Sequence, residues 1–188
     1  LYMLLTAYRD FRDNFAREIW DAVGHGGDPA IFTASELPIA FGVLGALALI
    51  MRIKDNHKAL TRIHLVMLAG TVLIGLATLA FQAGMISPVA WMISVGLGLY
   101  LGYVPYGCVL FDRLIATVGV VGTAGFMIYV TDAFGYLGSV GLMLYKNFGQ
   151  AELSWLNFFI YFSYATSIVC SASFVWSLIY FKRQNPNK

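Results

Sequence analysis

Charge is what this chain has least of. Only 12% of its 188 residues are Asp, Glu, Lys or Arg, where a soluble domain carries about a quarter. The few charges are clustered, 59% of the chain is hydrophobic, and the mean hydropathy is +0.72. That pattern excludes an ordinary soluble globular domain and points to a polytopic membrane protein. A net charge of +2 is too small for a nucleic-acid-binding surface, so the basic residues are read for topology instead. Two cysteines, Cys108 and Cys170, both inside apolar runs, exclude a disulfide-stapled scaffold. The three histidines, His25, His57 and His64, lie in or beside loops with no HxxxH spacing and no nearby cysteine, which predicts no metal site. No GxxxxGK[ST] loop, nucleophile elbow or HExxH occurs, so nothing signals an enzyme or calls for a cofactor. The chain opens on Leu1 with no signal-peptide pattern, which reads as a piece of a longer protein.

What is present is a series of apolar runs. A helix needs about 20 residues to cross the hydrocarbon core. The fold expected is all-α, a single six-helix transmembrane domain over residues 1–188. Its spans run over about Leu1–Val23, Ala30–Met51, Ile63–Ala83, Val89–Phe111, Thr117–Tyr145 and Leu153–Phe181. Gly24-His25-Gly26-Gly27-Asp28-Pro29 breaks the first from the second, and Asp112-Arg113 closes the fourth. If all six cross, Arg52, Lys54, Lys58, Arg62, Arg113, Lys182, Arg183 and Lys188 share one side and Lys146 takes the other. The basic side, with the C-terminus, is then cytoplasmic. In the fifth span, Gly119, Gly122 and Gly125, and then Gly135, Gly138 and Gly141, are spaced by three, a stripe that favours close helix packing. Trp20, Trp91, Trp155 and Trp176 fall near span ends, as in interfacial belts.

The first span is the exception to the apolar rule. From Arg9 to Asp21 it holds three arginines and four acids. On a helical wheel Tyr8, Phe11, Phe15 and Ile19 take one half and most of the charges the other. An i, i+4 spacing predicts a structural ion-pair network of Arg9, Asp13, Arg17 and Asp21. Arg12 has no such partner and falls at the edge of the apolar arc, beside Leu5. A helix lying on the membrane surface carries an excess of Lys and Arg, which this one lacks. The helix is therefore expected inside the bundle, with Arg12 facing the interior or a water-filled cavity and binding an anionic group through its planar fork.

Other polar residues lie in otherwise apolar surroundings. Glu36 in the second span and Asp132 in the fifth are candidates for coupling or gating, since a desolvated carboxylate takes up protons readily. Glu36 is equally placed to pair with an arginine of the first helix. Tyr100, Tyr103 and Tyr106 repeat every three residues and are candidates to line a solute site, packing being the plainer role.

Three stretches carry a family resemblance. Phe11-Arg12-Asp13-Asn14-Phe15 resembles the arginine-bearing first helix of a half of the organophosphate:phosphate antiporters, in the major facilitator superfamily. The run from Gly96 to Pro105 resembles their tenth helix. Gly122-Thr123-Ala124-Gly125-Phe126, with Phe134 to Gly141, is similar to their eleventh. The chain is more similar still to a bacterial family of facilitator-like membrane proteins for which no substrate carries over. The resemblance implies the C-terminal half of a twelve-helix transporter in the bacterial inner membrane. It implies the lipid bilayer, a small-molecule solute, and a missing N-terminal half or a second copy as partners. Arg12 is the residue that matches the substrate-binding arginine. The acids Asp10, Asp13, Glu18 and Asp21, and Arg17, depart from the pattern; the acids lower the local positive potential and favour a zwitterion or a proton-coupled solute over an organophosphate, within the small anionic or zwitterionic class expected. The function expected is secondary active transport by alternating access, the alternative a non-transporting sensor or assembly subunit that keeps the fold. An intramembrane enzyme using Asp132 and Glu36 would require those carboxylates within a few Å of each other.

Overall fold

The computed structural model describes residues 1–183 apart from Asp28, Val120, Gln150 and Ala151, and for Lys182 the backbone alone. The tail from Gln184 to Lys188, with the topology charge expected at Lys188, and Asp28 of the expected breaker lie outside the described residues. Among the described residues all regular structure is helical and there is no strand. The helices are α1 (Tyr2–Asn14), α2 (Ala16–Ala22), α3 (Ala30–Met51), α4 (Asn56–Gln82), α5 (Pro88–Pro105), α6 (Phe111–Val118), α7 (Ala124–Leu144) and α8 (Trp155–Arg183). A π-helical turn, Tyr106–Leu110, joins α5 to α6, and another, Tyr145–Gly149, extends α7.

Five stretches are long and apolar enough to cross a membrane, by length and composition: Ala30–Met51, Asn56–Gln82, Pro88–Val118, Ala124–Gly149 and Trp155–Phe181. The expected first span is helical but divided. Phe15 leaves helical geometry at φ −113°, ψ 22°, and separates α1 from α2. The division and the charges keep this segment out of the five, so six crossings are an expectation beyond what length and composition support.

Three boundaries differ from those expected, each for a local reason. Helix α4 starts at Asn56, seven residues before the predicted Ile63, because Asp55 caps it by accepting the Lys58 N–H at 2.9 Å. Asp112-Arg113 does not close the fourth span. The helix runs on to Val118 and stops at Gly119, whose φ of +72° suits a residue with no Cβ. The fifth span accordingly begins at Ala124 rather than Thr117, with Thr123 accepting the Phe126 N–H at 3.3 Å. The six-glycine stripe is thereby cut. Gly119 is a C-cap, Gly122 lies in the loop, and only Gly135 and Gly138 meet a neighbouring helix, at Thr6 and Met3 of α1.

One buried core runs through α1, α2, α4, α5 and α8, and within it aromatic rings join the α1–α2 segment to α8. Tyr8 stacks on Phe159 at 5.2 Å between ring centroids, Phe11 lies 5.0 Å from Phe158, and Phe15 stacks on Trp155 at 4.0 Å. The buried Tyr8 hydroxyl is hydrogen-bonded to Ser163 Oγ at 2.6 Å, as a buried phenol requires. Trp20 and Trp91 are core residues, not interfacial ones. Trp91 stacks on Phe81 at 4.2 Å and donates its indole N–H to Thr78 at 3.2 Å. Helices α4 and α5 meet backbone to backbone at Gly70 and Gly98, where a Cβ on either would lie 2.5 Å from the other's carbonyl oxygen. His64 ties α4 to α8. Its Nδ1 lies 2.8 Å from Leu60 O and can only donate there, so Nε2 accepts from Ser177 at 2.9 Å.

Candidate functional site

Helix α1 packs against α5, α7 and α8 with its apolar arc inward, as the wheel predicts. The charged residues then fall into two groups, and the pairing differs from the i, i+4 network expected. Arg9 pairs with Asp10, through Nε at 2.8 Å and Nη2 at 2.6 Å. Arg12 pairs with Glu36 of α3 at 2.6 Å and with Asp13 at 3.4 Å. Arg17 and Asp21 make no ion pair among the described residues. The reason is the cross-helix contact. Burial sends the Arg12 guanidinium to whatever carboxylates the bundle brings near, and α3 brings Glu36. The expectation of an arginine without a partner is thus corrected, and Glu36 is that partner.

The first group surrounds a cleft of about 310 Å³ lined by Arg12, Asp13, Trp20, Phe32, Glu36 and Tyr100, with Ala16 and Met92. Burial is unequal across the ion pairs. Arg12 is 3% exposed, while Asp13 and Glu36 are 45% and 47% exposed. The Tyr100 hydroxyl donates to Asp13 at 3.3 Å. The Arg12 guanidinium lies over Gly96 of α5, and Ile39 of α3 crowds the same spot. Its Nε is buried and has no hydrogen-bond partner among the described residues.

The second group is a hydrogen-bonded chain toward the other end of α1. Arg9 donates to the Tyr103 hydroxyl and lies over that ring, 4.7 Å from its centroid. Tyr103 and Tyr2 share a hydrogen bond at 2.9 Å, and Tyr2 bonds Asp132 of α7. A carboxylate only accepts, so the single Tyr2 proton goes to Asp132 and the Tyr103 proton serves the bond between the tyrosines. The chain is therefore polarised from Arg9 to Asp132. Tyr106 packs edge-on to Tyr2 at 5.1 Å and lines a second hollow of about 380 Å³ with Thr131 and Phe134.

The three tyrosines thus divide: Tyr100 faces the cleft, Tyr103 joins the second group, and Tyr106 is buried. Glu36 and Asp132 belong to different groups, Glu36 paired with Arg12 and Asp132 bonded to Tyr2. Sequence reasoning gave no site role to Tyr2, Asp10 or Gly96. A signal for Tyr2 exists, since it lies seven residues before Arg9 and so on the same helix face. Among the described residues no group of three or more His, Cys, Asp or Glu could hold a metal ion.

Long apolar helices packed around a charged, partly buried cleft define a multi-pass helical membrane protein. Within that class the chain belongs to the family described as "Family of unknown function (DUF5690)", whose model matches residues 1–184. No curated protein and no solved structure matches it.

Proposed function

We propose that the chain is one six-helix half of a secondary transporter, with the Arg12–Glu36 cleft as its solute-facing wall. The observation that carries this reading is a nearly fully buried guanidinium whose carboxylate partners are half exposed in a cleft among helices. A charge so placed is costly, and in membrane bundles it marks a solute or ion pathway.

The packing pattern supports the fold side of the proposal. Group α1/α2, α3 and α4 as one triplet, and α5/α6, α7 and α8 as the other. Exchanging the triplets turns the α1–α7 contact into α5–α3, and the α4–α5 contact into α8–α1/α2, while α4–α8 maps onto itself. All of these contacts are present. Transporter halves built from inverted three-helix repeats have this symmetry. The division of α1 from α2 beside Arg12 also fits, since broken helices are tolerated where they line a cavity. The expected solute is small and anionic or zwitterionic. It binds with Arg12, with Tyr100 at the cleft wall, while the Arg9–Tyr103–Tyr2–Asp132 chain gates the opposite end of the helix. The other wall of the pathway comes from an N-terminal half or a second copy.

The test is solute exchange by the full-length protein reconstituted in liposomes, against carboxylated, phosphorylated and zwitterionic solutes. Arg12→Ala is expected to abolish exchange. Absence of exchange of any solute, or unchanged exchange by Arg12→Ala, overturns the transporter reading in favour of a sensor or assembly subunit.

A further inference from the structure

We infer that the cleft selects a small zwitterion bearing a primary ammonium group, which meets Asp13 and Glu36. The inference rests on the proposal that this cleft is a solute site, and concerns what the site presents to a solute rather than which charges it contains.

Arg12 contributes its charge from behind. It is 3% exposed, and Nη1 and Nη2 are each engaged by a carboxylate. The groups that reach the open space are the carboxylates themselves, 45% and 47% exposed. One guanidinium against two carboxylates leaves the cleft with a formal charge of −1. A free anion would meet that excess head on, whereas an ammonium is drawn to it and has three protons to donate. The remaining walls suit the same group. Phe32 and Tyr100 are aromatic and part-exposed, and an ammonium over an aromatic face gains cation–π attraction.

A simple cation would leave one feature unanswered. Arg12 Nε is a charged donor, buried and without an acceptor among the described residues. A buried donor left unsatisfied is expensive, more so when charged. An anionic oxygen carried by the same solute would supply that acceptor once Glu36, half exposed and held through one oxygen, swings toward the ammonium. The cleft thus asks for a donor at its rim and an acceptor at its floor. At about 310 Å³ it lies at the small end of ligand sites, which matches a solute of amino-acid size.

The experiment uses the full-length protein in two formats, calorimetric binding in detergent and exchange in liposomes. The probes are glycine, β-alanine, L-serine and phosphoethanolamine as zwitterions. Propionate and inorganic phosphate serve as matched anions, and ethylammonium as the matched cation. The expected result is binding by at least one zwitterion, at least tenfold tighter than by any matched ion. Asp13→Asn and Glu36→Gln should each weaken it tenfold or more, with the fold checked by unchanged helical circular dichroism. Propionate or phosphate binding as tightly as the zwitterions overturns the inference and leaves the transporter reading intact. So does a zwitterion affinity that Asp13→Asn and Glu36→Gln leave unchanged, or no response to any zwitterion while an anion exchanges. Zwitterions that bind in detergent but never exchange uphold the inference and overturn the transporter reading.

Discussion

Gly96 of α5 lies directly beneath the guanidinium of Arg12. A Cβ on Gly96 would come within 2.8 Å of Arg12 Nη2 and 3.1 Å of Cζ. The buried guanidinium therefore has its seat made by a residue with no side chain, on a different helix.

Gly96→Ala is accordingly expected to displace the Ile39 side chain, which lies nearer still, together with the guanidinium that pairs with Glu36. Overpacking of this kind costs about 1–3 kcal/mol. The measurement is thermal unfolding in detergent, with Gly107→Ala as control, since a Cβ there meets nothing within 4 Å. Equal melting temperatures for the two variants would contradict the proposed seat.

The unequal burial of the ion pair gives a second expectation. Glu36→Leu leaves a buried cation with only Asp13 at 3.4 Å, whereas Arg12→Met leaves a carboxylate that is half exposed. Breaking a fully buried pair costs ~3–5 kcal/mol, and the half-exposed Glu36 reduces this to about 1–3 kcal/mol. Glu36→Leu should therefore destabilise more than Arg12→Met, and the double variant should recover most of the loss. A double-mutant cycle in chemical denaturant reads this directly. Additive effects would show that the two side chains do not depend on each other.

The α4–α5 seam should be intolerant of any side chain. Gly70→Ala and Gly98→Ala each place a methyl against backbone, which cannot swing aside, at a cost of at least about 1–3 kcal/mol. Gly45→Ala and Gly141→Ala, with open space around them, should be neutral or slightly stabilising in the same unfolding assay.

Asp55 gives a pH-dependent expectation outside the membrane-spanning segments. Accepting the Lys58 N–H holds its carboxyl below the usual range. A depressed carboxylate contributes stability above its unfolded pKa and loses it as the pH falls through the folded value. The first turn of α4 should thus be protected at neutral pH and fray in acid. Hydrogen exchange at the Lys58 amide, corrected for intrinsic rates, reports it, and Asp55→Ala should show the frayed rate at every pH.

The spans were legible because hydropathy acts over some 20 residues and needs no knowledge of neighbours. Ala30–Met51 was placed to the residue. The ends were harder where polar residues continue a helix beyond its apolar stretch. Lys58 and Arg62 read as loop, yet lie in α4, and Asp112-Arg113 read as a stop, yet lies in α6, where Arg113 donates to Asn56 at 2.6 Å. Arg12 stood out on the wheel as the misplaced charge, and it is the buried one. Its partner could not be chosen from i±3 and i±4 spacing, because Glu36 is 24 residues away on another helix. Trp20 and Trp91 illustrate the same limit. Their position near helix ends reads as interfacial, but burial depends on which helices close over them.

Helix α7 is covered along little more than one line. Phe126, Tyr129, Phe134, Tyr136, Leu137, Val140 and Leu144 are exposed, while Gly135 and Gly138 rest against Thr6 and Met3 of α1. Among the described residues, the side-chain hydrogen bond that ties α7 to α1 is Tyr2 to Asp132. Thr6 and Met3 sit in the notches that those two glycines leave, so α1 and α7 are keyed to each other as well as bonded. Helix α7 is thus moored to α1 along a single seam, and the Tyr2–Asp132 bond is the one polar clasp on that seam among the described residues.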